Sequence, residues 1–130
     1  MNVFNSLFKK KGENKDKTIS SKSFLKWIPL QSVDQLSVIK EASKENAILI
    51  FKHSTRCIIS KMVKKEFEQL FDESTSTLKV YYLDLLNYRA ISNALSEAFD
   101  VEHQSPQILV IKNESAVFHA SHQDITAINL

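Results

Sequence analysis

With 130 residues, 43% of them apolar and 25% charged, the chain has the composition of an ordinary globular protein, long enough to bury one sizeable core. A single cysteine excludes an internal disulfide framework, and a single glycine, Gly12, excludes a glycine-rich phosphate loop or dinucleotide fingerprint. The net charge of +2 is unevenly spread: Lys9, Lys10, Lys11, Lys15, Lys17 and Lys22 against Glu13 and Asp16 put +4 on residues 1–22 and leave −2 on the rest, so the body lacks the basic stripe of a nucleic-acid binder.

Residues 1–22 read as a basic, flexible tail, and residues 23–130 as one domain. Within the tail, Phe4, Leu7, Phe8 and Lys9–Lys11 suit either a solvated leader or a weak anchor to a membrane surface or partner. Met1–Phe8 is too short and mixed for a signal peptide, and no apolar run approaches the roughly 18 residues of a membrane span. The expected compartment is the cytoplasm.

Further along, Trp27–Leu30 is a short extended segment, and Ser32 or Asp34 caps a helix through about Glu45 with Val33, Leu36, Ile39 and Ala42 on one face. Ala47–Phe51 is a continuous apolar run of strand length, the pattern of a central strand buried on both faces. Ser54 or Thr55 then caps a helix to about Phe71, with Ile59, Met62, Val63, Phe67, Leu70 and Phe71 as its apolar stripe. Leu78–Asp84 is a second strand, and Tyr88, Ile91, Leu95, Ala98 and Phe99 mark a third helix. Two short strands, Gln107–Lys112 and Ala116–His119, flank Asn113-Glu114 as a tight hairpin without the usual glycine. A last short helix starts at Asp124. Strand-helix-strand units imply a parallel central pair with a right-handed crossover, and the closing hairpin adds antiparallel strands. The expected fold is α/β, a mixed central sheet with helices on both faces.

The only cysteine, Cys57, stands where the buried strand runs into a helix. The free N–H groups of a first helical turn favour an anion there, as do the neighbouring Arg56 and, one turn on, Lys61; His53 precedes the helix. The thiolate is the nucleophile of disulfide exchange. A small buried hydrophobe is the other reading of a lone cysteine, but ligands of open α/β sheets bind at this end of a central strand. Ser60 suits donation to the sulfur or to local backbone, and Ser54 or Thr55 a helix cap. Ser105-Pro106 opens a strand; a cis bond there would turn the chain and expose the Ser105 backbone for an added extended chain, while trans is the ordinary state. His119 and His122 with one cysteine make a weak zinc pattern, and no metal or bound cofactor is expected.

Strand, helix-start cysteine, helix, strand, helix, X-Pro, hairpin and terminal helix is the layout of the thioredoxin fold. The words Phe51-Lys52-His53-Ser54-Thr55-Arg56-Cys57, then Ile59-Ser60, and His103-Gln104-Ser105-Pro106-Gln107, resemble the YtxJ family of monothiol bacilliredoxins over about residues 25–130. Ile58 departs from the family pattern, which has proline there. The resemblance implies a thioredoxin-like fold, a cis-proline at Pro106 and a nucleophile at Cys57, with Thr55, Arg56, Ser60, Lys61, Ser105 and Pro106 around the substrate. It implies bacillithiol as co-substrate and bacillithiolated proteins as clients of the enzyme; a monomer is expected. A non-catalytic thioredoxin-like redox-sensing or binding module is the alternative.

Overall fold

The structure, a computed structural model, describes residues 24–130; the basic tail and its candidate anchor residues lie outside the described residues. The elements in chain order are β1 (Trp27–Pro29), α1 (Gln35–Ala42), β2 (Ile48–His53), α2 (Ile58–Glu68), β3 (Lys79–Asp84), α3 (Arg89–Phe99), β4 (Gln107–Lys112) and β5 (Ser115–Ser121). Short 3-10 turns occupy Glu73–Thr75 and His122–Ala127. The sheet order is β1-β3-β2-β4-β5, with β3 parallel to β1 and β2, and β4 antiparallel to β2 and β5. This is the mixed α/β sheet that the strand-helix alternation predicts.

β2 is the spine, and all six of its residues are buried. Because successive side chains point to opposite faces, it feeds two cores. Ile48 and Ile50 pack with Leu36 and Ile39 of α1 and with Ile91, Leu95 and Phe99 of α3. Leu49 and Phe51 pack with Val63 and Phe67 of α2, Val80, Ile108 and Ile125. Phe51 and Phe67 are fully buried with ring centroids 5.2 Å apart, and burial of each contributes about 1.5–3 kcal/mol.

The structure moves several expected boundaries. α1 ends at Ala42, and Val33, expected on its apolar face, is exposed. Gln35 Oε1 accepts the N–H groups of Gln31 and Ser32, and the Ser32 hydroxyl accepts that of Asp34, so this polar turn starts the helix without a side-chain cap from Asp34. α2 is shorter than its stripe suggested, and its buried face is Ser60, Val63 and Phe67, with Ile59 and Met62 turned outward. The last helix is a 3-10 turn that starts at His122, two residues before Asp124. In the glycine-free hairpin Asn113 and Glu114 both take positive φ, 51° and 69°. Ser43, fully buried after α1, holds that turn: its carbonyl accepts the Asn113 N–H at 2.8 Å and its hydroxyl the Glu114 N–H at 2.8 Å.

Candidate functional site

β2 ends at His53, and four residues later Cys57 is the N-cap of α2. Between them the Cys57 N–H donates to the Ser54 carbonyl at 3.2 Å, closing a turn, and the Cys57 carbonyl accepts the Lys61 N–H at 3.1 Å. Ser54 and Thr55, expected as caps, therefore lie in the turn before the helix. The thiol is half-buried, and its sulfur makes no cap hydrogen bond to the first turn. Thr55, Arg56 and Lys61 are exposed beside it, and the Arg56 and Lys61 side chains make no ion pair among the described residues. Ile58, Ile59 and Met62, 72%, 44% and 52% exposed, give this end of α2 an apolar surface.

Ser60 is not a partner of the sulfur. It is fully buried, its oxygen accepts the Ser54 N–H at 3.1 Å, and it lies 2.7 Å from His53 Nδ1. The hydroxyl and Nδ1 share one hydrogen bond, whose direction follows the tautomer of the ring. Burial first, then the charges of Lys64 and Lys61, hold His53 below its ordinary 6.5, against the opposing pull of Asp84 and Glu68. His53 thus acts as an internal brace between strand and helix. This also explains the rotation of α2: a serine bound inward at position 60 leaves Ile59 facing solvent.

The Ser105–Pro106 peptide bond is cis, as the resemblance implied. The Pro106 carbonyl accepts the His122 N–H at 3.0 Å, whereas the Ser105 backbone bonds to no described residue. The Ser105 hydroxyl is turned inward and buried without a partner, so what Ser105 offers a ligand is its main chain. An open groove of about 570 Å³ runs between Ile59 and the segment His119–Asp124. His119 and His122 are exposed along it, and no group of three or more His, Cys, Asp or Glu side chains could hold a metal ion among the described residues.

Two buried polar side chains at this end of the sheet escape a local reading of the sequence. Lys52 on β2 is 1% exposed, and burial pushes it down to about 8. Its Nζ lies 2.7 Å from His103 Nδ1, 51 residues away. Gln107, opposite Lys52 in the β2–β4 ladder, accepts the Gln104 N–H at 3.3 Å and donates to the Glu102 carbonyl at 3.0 Å. The one sequence signal was position: a lysine continuing the apolar run Ala47–Phe51 into a strand buried on both faces.

Solved structures carry the same fold. A protein described as an oxidoreductase with a thioredoxin fold shares 29% identity and a TM-score of 0.68, covering 78% of this chain and 88% of its own. The thioredoxin of Malassezia sympodialis has a TM-score of 0.65 at 15% identity over 85% of this chain and 89% of its own. Trypanosoma brucei brucei thioredoxin has 0.65 at 14% over 85% and 90%. Among the described residues no helix is long and apolar enough to cross a membrane. The profile of the monothiol bacilliredoxin BrxC family matches residues 28–130, which with the fold makes this a thiol–disulfide oxidoreductase. The chain belongs to the monothiol bacilliredoxin BrxC family.

Proposed function

We propose that the protein removes bacillithiol from protein mixed disulfides in the cytoplasm, with Cys57 as its nucleophile. The observation that carries this reading is that the only sulfur able to attack stands at the start of α2, beyond the buried central strand, with no second cysteine to resolve it. The Cys57 thiolate attacks the bacillithiol sulfur of a client mixed disulfide; the protein–bacillithiol bond forms as the client bond breaks, and the client leaves as a thiolate. A second bacillithiol thiolate then attacks the bacillithiol sulfur on Cys57, giving bacillithiol disulfide and free Cys57. The reductant is the second bacillithiol thiolate, whose sulfur leaves joined to the one removed from the client, so one protein sulfur suffices.

The surroundings fit such a substrate. Exposed Ile58, Ile59 and Met62 offer apolar contact to a client chain, and the unbonded Ser105 backbone offers strand-like pairing to it. Arg56 and Lys61, exposed and cationic beside the thiol, suit the malate carboxylates of bacillithiol, with Thr55 at the same rim. The test is transfer of bacillithiol from a bacillithiolated client, followed by intact mass. Wild type is expected to gain one bacillithiol and Cys57→Ala none. A wild-type protein that is itself bacillithiolated by the free disulfide but takes nothing from any client would instead support a redox-sensing module.

A further inference from the structure

Lys52 has no evident use in the reaction just described, yet it is buried at the end of the strand that leads to Cys57. A buried ammonium is costly to desolvate, and such groups are ordinarily paired with carboxylates. Among the described residues Lys52 has none; its single polar partner is a histidine nitrogen, His103 Nδ1, at 2.7 Å. The Ser92 hydroxyl of α3, also buried, stands 3.4 Å from the same nitrogen. His103 itself is exposed and sits two residues before Ser105.

The rest of that segment is held in the same way. In the antiparallel ladder Lys52 and Gln107 are directly opposed, so their side chains share one face of the sheet. Gln107, 1% exposed, grips Glu102 and Gln104 through both ends of its amide. Residues 102–104 therefore rest on two buried polar groups, one contributed by β4, which follows the segment directly, and one by β2. Among the described residues the Lys52 bond is the one side-chain link from residues 102–104 to the strand that delivers the thiol, which the chain otherwise reaches through the ladder that starts at Gln107.

We propose that Lys52 is a positioning residue for disulfide exchange: by donating to His103 it ties the segment ending in Ser105–Pro106 to β2, and so sets the spacing between the bound disulfide chain and Cys57. This rests on the reading that the Ser105 backbone receives the substrate chain. The tie is also sensitive to mild acid. Nδ1 can accept only while the ring is neutral, and burial, Lys52 on β2 and Arg89 at the start of α3 all oppose its protonation. Once the ring is protonated, two cations face each other and the bond is lost. The tie is intact above the ordinary histidine value and released below the lowered one.

The experiment compares the full chain with Lys52→Met, which removes the donor, and with His103→Leu, which removes the acceptor. His103→Asn is the rescue, since its Oδ1 stands near where Nδ1 stood. In nitrogen-detected NMR, wild-type His103 is expected as the Nε2–H tautomer titrating below 6.5, and Lys52→Met is expected to move it up. Amide hydrogen exchange at Gln104, whose N–H is bonded to Gln107 within the same segment, is expected to quicken about tenfold in Lys52→Met and His103→Leu, the effect of one charge-assisted hydrogen bond, and to return toward wild type in His103→Asn. With a bacillithiolated peptide, KM is expected to rise by about the same factor, while alkylation of Cys57 by iodoacetamide keeps its rate. Unchanged exchange and an unchanged KM overturn the tie; a slower alkylation would assign the effect to the thiol and overturn it too. Failure of the wild type to accept bacillithiol from any peptide overturns the functional reading, and the exchange measurement then judges the tie by itself.

Discussion

Ile58 occupies the first position of α2, where a helix has no carbonyl to offer an N–H, and its own N–H bonds to no described residue. The residue before it, Cys57, has φ −105° and ψ 122°, inside the extended region that a following proline requires. Proline at position 58 would therefore fit without losing a hydrogen bond, and its fixed φ would reduce the freedom of the unfolded chain. Ile58→Pro is expected to raise the unfolding free energy by about 0.4–1 kcal/mol, read as a higher urea midpoint at constant m. A lower midpoint would mean that the turn at Ser54–Cys57 depends on the isoleucine side chain. At this scale the sequence was informative about Cys57, because a strand running into a helix start is a local pattern. It was not informative about Ser60: the hydroxyl's partners, His53 and the Ser54 N–H, are fixed by how strand and helix meet, and a serine beside a cysteine looks the same whichever it serves.

Among the elements, the glycine-free hairpin shows why a correctly placed element can have an unseen cause. Alternation and length were enough to mark β4 and β5, but Asn-Glu is a poor two-residue turn, since positive φ brings the glutamate Cβ against its own backbone. Ser43, some seventy residues earlier, compensates by accepting the turn's second N–H on a hydroxyl that itself donates to the Lys40 carbonyl at 2.6 Å. No period or motif in the chain connects residue 43 to residue 114. Ser43→Ala leaves the Glu114 N–H and the Lys40 carbonyl without these partners and is expected to lower stability by about 1–3 kcal/mol. Hydrogen exchange should quicken first at the Asn113–Glu114 turn; uniform quickening across the sheet would place the loss in α1 instead. The shifted face of α2 has the same kind of cause. Spacing alone favoured Ile59 and Met62, and a single buried contact from β2 to Ser60 decided otherwise.

Across the whole molecule, two apolar cores meet at β2, and that same strand carries a lysine only 1% exposed. The fall of Lys52 from its ordinary 10.5 to about 8 corresponds to a destabilisation on the order of 3 kcal/mol at neutral pH. Above 10.5 the amine is neutral in both states and carries no such penalty. Between 10.5 and about 8 only the unfolded chain takes up the proton, so stability is lost as pH falls through that window and the loss is nearly complete below it. Methionine fills the same volume without a charge, and His103, being exposed, can bond water in its place. Lys52→Met is therefore expected to be the more stable protein at pH 7.5, with a lead that shrinks by about 2 kcal/mol by pH 9.5 as the wild type sheds its proton. The tyrosines, the cysteine and the other histidines are common to both proteins and cancel in the difference, while His103, lowered from 6.5 by burial and by Lys52, changes charge below this pH window. Urea unfolding of the pair at the two pH values reads it directly, and a lead that stays constant would show that the lysine is not desolvated. A variant that is more stable yet binds its disulfide substrate more weakly would separate the function of Lys52 from any role in holding the fold together, since an impairment caused by loosened structure would have the opposite sign.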